Sequence, residues 1–101
     1  MENVTSEKVK QLQSEGKKIL VDYWAEWCGP CKALIPRLEL IEPQYPNVEF
    51  VKVNVDENMD SALDLGIRSV PTVIIYDGEK LISRTQGASA DTFYKEILNK
   101  L

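Results

Sequence analysis

Only two cysteines occur in the chain, and they stand three residues apart as Trp27-Cys28-Gly29-Pro30-Cys31. They fall on a seam. The run before them, Ile19-Leu20-Val21-Asp22-Tyr23-Trp24, reads as a buried strand, and the run after them, Lys32 to Tyr45, has helical periodicity. Cys28 is thereby set at the mouth of a helix, where free backbone N–H groups and the helix dipole favour a thiolate over a thiol. Positions i and i+3 on a helix have Cα atoms roughly 5 Å apart, a separation a disulfide can span. The seam is built to make and break one bond.

Composition narrows the chemistry. The 101 residues suit one domain, residues 1–101, with a real core and no room for a second. Twelve basic and sixteen acidic residues give a net charge of −4 with no basic run, which argues against a nucleic-acid partner. Histidine is absent, so an imidazole base, a Cys–His dyad and a His-ligated metal are excluded. A zinc ion wants four ligands, and two cysteines would need a partner chain to complete the set; no metal is expected. The polar start, Met1-Glu2-Asn3-Val4-Thr5-Ser6-Glu7, carries no signal-like run, and no apolar stretch has the length of a membrane span. The expectation is a cytoplasmic protein with no membrane partner. Reducing conditions there disfavour a structural disulfide, so the lone pair reads as redox-active.

Strand-like and helix-like segments alternate along the chain. Asn3 to Thr5 is a short edge strand anchored by Val4, and Ser6 caps a helix running to about Ser14, ended by Gly16. Lys18 to Trp24 is a buried strand. Cys31 to Tyr45 is a helix burying Leu34, Ile35, Leu38 and Ile41 and kinked by Pro36. Val48 to Val55 is a strand, and Met59 to Leu65 a short helix stopped by Gly66. Thr72 to Tyr76 joins Leu81-Ile82-Ser83 through Asp77-Gly78, a hairpin signal. Ser89 or Asp91 starts a last helix turning Phe93, Ile97, Leu98 and Leu101 inward. The order β-α-β-α-β-α-β-β-α predicts an α/β fold: two parallel strands joined by a crossover helix, a closing antiparallel hairpin, and helices on both faces.

These residues resemble those of the thioredoxin family from about residue 18 onward. The matching strings are Leu20 to Lys32, with Trp27-Cys28-Gly29-Pro30-Cys31 inside it, then Pro36, Lys52-Val53-Asn54-Val55-Asp56-Glu57-Asn58, Gly66-Ile67-Arg68-Ser69-Val70-Pro71-Thr72, Asp77-Gly78 and Gly87. Two departures sit at the far edge: the turn Tyr76-Asp77-Gly78-Glu79 is one residue short, and Gln86 precedes Gly87 where the family has a small apolar residue. The resemblance implies a thioredoxin fold, a central mixed five-stranded sheet flanked by four helices. It implies a monomeric thiol–disulfide oxidoreductase that reduces disulfides in protein substrates and is recharged by a thioredoxin reductase. The sulfurs hold the electrons, so no organic cofactor or metal is implied.

Each site residue has a plainer reading beside the functional one. Asp22 lies inside an apolar strand, where a carboxylate is rarely buried without a reason. Desolvation there raises its pKa and makes it a proton acceptor near neutral pH; the resemblance assigns it that role toward Cys31, with Cys28 as nucleophile and Cys31 as the resolving thiol. Lys52, among valines, is either a buried counter-charge to Asp22 or an edge lysine reaching outward. Gly29 and Pro30 are turn chemistry, and Pro30 pre-sets the first helical turn. Gly-Pro between the cysteines also resembles the reducing members of the family. For Pro71 the family implies a cis bond facing the disulfide, leaving the Val70 backbone to receive an extended substrate. Trp27, Pro30, Val70 and Gly87 then form a flat landing surface, with Trp24, Asp56 and Pro36 as supports.

Overall fold

The most apolar run in the chain occupies the middle of the molecule, because only a central strand buries side chains on both faces. In the computed structural model, which describes residues 1–101, that run is β2 (Lys18–Trp24), buried at every position after Lys18. It belongs to a five-stranded sheet with β1 (Glu2–Asn3), β3 (Val48–Asn54), β4 (Thr72–Asp77) and β5 (Lys80–Gln86), in the order β1-β3-β2-β4-β5. The β1–β3 and β3–β2 pairs are parallel, and β4 and β5 close the sheet antiparallel. The helices are α1 (Ser6–Ser14), α2 (Gly29–Ile41), α3 (Met59–Asp64) and α4 (Asp91–Leu98).

Strand alternation sorts the core into two layers. Ile19, Val21 and Tyr23 of β2 pack with Val51, Val53, Ile74 and Tyr76 against Val9 and Leu12 of α1 and Ala62 of α3. Leu20 packs on the other face with Phe50, Val73 and Ile75 against Leu34, Leu38 and Ile41 of α2 and Tyr94 and Leu98 of α4. Asp22, two residues beyond Leu20, belongs to this second face and lies under the helix that carries the cysteines.

Several boundaries move from the sequence reading. β1 is Glu2–Asn3 rather than Asn3 to Thr5; Thr5 is instead the cap of α1, its side chain accepting the Lys8 N–H, and Ser6 is the first helical residue. Helix α2 starts at Gly29 and ends at Ile41, followed by a separate 3-10 turn at Glu42–Gln44, and it continues through Pro36. Val55 leaves β3 for a 3-10 turn over Val55–Glu57. The hairpin pairs Asp77 with Lys80, so its turn is Gly78-Glu79. Gly78 has φ +61° and approaches Gly16, with its N–H on the Lys17 carbonyl, a geometry that suits glycine.

In α4 the fully buried residue is Tyr94, whereas Phe93 stays 39% exposed. An aromatic with a polar tip can be buried if the tip finds a partner, and the Tyr94 hydroxyl accepts the Ser89 N–H at 3.0 Å. Ile97 and Leu101 are only partly buried against the core. Ile35 likewise leaves the main core and packs beside the cysteines.

Candidate active site

Cys28 is the N-cap of α2. Its extended backbone turns the chain from the β2 loop into the helix, and its Sγ accepts the Cys31 N–H at 3.2 Å. A sulfur here occupies the place where Ser, Thr or Asp commonly cap, facing the free N–H groups and the positive end of the dipole. Pro30, in the first turn, has no N–H to leave unpaired. Cys28 and Cys31 are joined as a disulfide with Cα atoms 5.3 Å apart. Although it stands at the helix mouth, Cys28 is only 4% exposed, against 0% for Cys31. What separates the two sulfurs is position at the helix end rather than gross exposure.

One wall of the site is the Ile67–Pro71 connection. The Val70–Pro71 peptide is cis, and the Val70 carbonyl oxygen lies 3.5 Å from Cys28 Sγ. The Gly87 N–H donates to the Pro71 carbonyl at 2.8 Å, which brings the end of β5 against the same loop. Gly87 has φ +79°, a conformation other residues adopt only at a cost. No group in the protein accepts the Val70 N–H, and the residue is half-exposed. Trp27, 71% exposed, stands on the far side of a hollow of about 90 Å³ lined also by Val55, Ile67, Arg68, Ser69 and Val70.

Trp27 is tethered by a chain of polar contacts that the sequence reading missed. Its indole N–H donates to Asp56 Oδ2 at 2.9 Å, and the Asp56 N–H donates to Asn54 Oδ1 at 2.9 Å. Asn58 donates to the Asn54 carbonyl at 2.9 Å and accepts the Ser6 N–H at 3.1 Å. The spacing Asn54-x-Asp56-x-Asn58 after a strand is a turn signal that could have suggested it. A second missed contact is Trp24 Nε1 donating to Asn3 Oδ1 at 3.1 Å, which ties edge strand β1 to the site.

Beneath α2, Asp22 is fully buried, and neither carboxylate oxygen has a hydrogen-bond partner. Burial pushes its pKa up to about 7, and the nearby Lys52 charge pulls the other way. Lys52 is the register partner of Asp22 on β3. It is half-buried, and its Nζ lies 4.7 Å from the centroid of the Trp24 ring. No ion pair links it to Asp22, so the cation acts through space rather than by contact. No three Cys, Asp or Glu side chains converge as a metal site.

A disulfide closed across the first turn of a helix, just beyond the end of the central strand of a mixed five-stranded sheet, defines a dithiol–disulfide oxidoreductase. Comparison with known proteins agrees. Residues 2–100 match the family model described as thioredoxin. The chain is 41% identical over 90 residues to thioredoxin of Streptomyces clavuligerus, covering 87% of this chain and 83% of that one. It is 42% identical over 96 residues to thioredoxin-2 of Saccharomyces cerevisiae, covering 95% and 92%. The solved structure of Fasciola hepatica thioredoxin superposes with a TM-score of 0.88 at 33% identity, covering 99% of this chain and 98% of that one. The chain belongs to the thioredoxin family, and it works through a redox-active disulfide, Cys28–Cys31, acting on disulfide substrates.

Proposed function

We propose that residues 1–101 act as one monomeric cytoplasmic domain that reduces disulfides in proteins and is recharged by a thioredoxin reductase. Cys28 is the nucleophile. Its thiolate attacks one sulfur of a substrate disulfide; that S–S bond breaks, the other substrate sulfur leaves as a thiolate, and a mixed disulfide forms. Asp22 takes the proton from the Cys31 thiol. The Cys31 thiolate then attacks Cys28, the Cys28–substrate bond breaks, and the second substrate sulfur departs. Two electrons pass to the substrate, and the reductase returns them to Cys28–Cys31. Lys52 keeps the Asp22 pKa from rising further. Trp27, Gly29, Pro30, Val70, Pro71 and Gly87 receive the substrate segment, the Val70 backbone pairing with it as an added strand. Electrons are carried by sulfur alone, without an organic cofactor or metal.

The observation that carries this reading is Cys28 as the sulfur N-cap of α2, accepting the Cys31 N–H, with the Val70 carbonyl 3.5 Å away. That placement supports a stabilised thiolate beside an open backbone. The test is reduction of insulin by the protein with electrons from NADPH and a purified thioredoxin reductase. Turnover lost in Cys28→Ser supports the assignment. Turnover that needs dithiothreitol and never the reductase removes the reductase as partner, and turnover that survives without Cys28 removes the mechanism.

A further inference from the structure

The loop that would receive substrate is held at both ends, by β5 and by the residue that follows it. At its far end the Gly87 N–H bonds the Pro71 carbonyl at 2.8 Å. At its near end, Arg84 of β5 donates from Nη1 to the Leu65 carbonyl and from Nη2 to the Gly66 carbonyl, the latter at 3.0 Å. Between these points the Thr72 hydroxyl donates to the Ser69 carbonyl at 2.7 Å. Of the Leu65–Pro71 segment, the carbonyls of Leu65, Gly66, Ser69 and Pro71 are all bound, and the Val70 N–H is left free.

Arg84 is suited to its place. Helix α3 ends at Asp64, and Leu65 and Gly66 form its C-terminal turn, with Gly66 in the left-handed region at φ +68°. Carbonyls there have lost their helical donors and sit at the negative end of the dipole, so a cation with forked donors binds them well. The register Ile74–Arg84 sets the guanidinium on the face where α3 packs. Arg84 forms no ion pair, which leaves the fork committed to these two carbonyls.

We propose that Arg84 is a positioning residue for substrate docking: by pinning the Leu65 and Gly66 carbonyls to β5 it fixes the start of the Ile67–Pro71 loop, and so the placement of the Val70 backbone beside Cys28. The proposal rests on the reading of Val70 as the docking backbone. It concerns how a peptide segment is held; sulfur exchange itself is carried by Cys28 and Cys31.

The experiment compares wild type, Arg84→Met and Arg84→Lys with a disulfide-linked peptide substrate. Met keeps most of the stem and removes every donor, and Lys restores charge and one point donor. Arg84→Met is expected to raise KM about three- to tenfold with kcat changed less than twofold, and Arg84→Lys to recover part of the loss. Amide exchange of Ile67, whose N–H bonds the Ala62 carbonyl at 2.9 Å, should quicken in Arg84→Met while that of Ile19 to Tyr23 stays as in wild type. An unchanged KM, or a fall in kcat that tracks lost thermal stability, overturns the proposal. If Arg84→Met does not fold, Arg84→Leu, which also carries no donor, is read the same way.

A second arm separates the underlying reading. The same peptide N-methylated beside its reactive cysteine cannot donate to the Val70 carbonyl. If wild type reduces it with the parent's KM, the Val70 reading fails. If its KM rises while Arg84→Met matches wild type on the parent, only the role of Arg84 fails.

Discussion

Asp22 and Lys52 face each other as register partners on adjacent parallel strands, yet they make no ion pair: the lysine reaches over the Trp24 ring and both carboxylate oxygens stay unpartnered. A buried carboxylate in this state is disfavoured when charged, and that has consequences for both stability and rate.

Asp22→Asn is expected to stabilise the protein at neutral and alkaline pH. The Asp22 pKa rises from an ordinary 3.8 to about 7 in the folded state. The folded protein therefore holds the proton more tightly than the unfolded chain. Below pH 4 both states are protonated and there is no penalty; stability then falls as pH rises toward 7, and the full penalty persists above it. At about 1.4 kcal/mol per pH unit the ceiling is roughly 4 kcal/mol. The amide should gain about 1–4 kcal/mol at pH 8 and almost nothing at pH 3.5. Urea denaturation at the two pH values checks this. A variant less stable at pH 8 would show that the carboxylate is paired.

The same substitution should slow resolution of the mixed disulfide. Without the carboxylate, Cys31 must lose its proton to water, so the deficit is largest near pH 7 and shrinks above pH 9, where the thiol ionises unaided. Stopped-flow rates across that range measure it. An equal rate at every pH removes Asp22 from the proton transfer.

Lys52→Met is expected to act through Asp22. The lysine charge lowers the Asp22 pKa, so its removal raises that pKa further. The acid limb of the rate profile should move to higher pH, and the variant should lose stability at pH 8 relative to pH 4. In the double variant Asp22→Asn/Lys52→Met the limb shift should vanish. A shift that survives there assigns the effect to the Trp24 contact instead.

Cys31→Ser should trap mixed disulfides and Cys28→Ser should not. Cys28 alone is the helix cap, whereas Cys31 lies inside the first turn. Non-reducing gels after incubation with insulin report the adduct. Adducts on the Cys28→Ser variant would reverse the two roles.

Asp56→Ala should free the exposed Trp27 ring by removing the acceptor of its indole N–H. The bond is at the surface, so the stability change should be under about 1 kcal/mol. KM for a protein disulfide should rise roughly two- to fivefold from the lost order. Trp27 side-chain relaxation by NMR and the steady-state KM test the two halves together.

The sequence by itself determined the order of elements, the two buried faces of β2 and the placing of a dithiol at a helix mouth. Each of these is local: alternation, helical period, caps and a three-residue spacing are written in neighbouring residues. It also marked Asp22, since a lone carboxylate in an apolar run is anomalous wherever the run is packed. Tertiary structure decided the rest. Lys52 went to Trp24 rather than to Asp22, because a side chain's partner is set by what the next strands and loops bring near it. Tyr94 took the core position that helical spacing offered to Phe93, because the Ser89 N–H was there to satisfy its hydroxyl. The Val70 carbonyl beside Cys28, the Gly87 N–H on Pro71 and the Arg84 fork on Leu65 and Gly66 join residues 42, 16, 19 and 18 positions apart. No local pattern encodes such contacts; they exist only once β4 and β5 have paired and closed the sheet against α3.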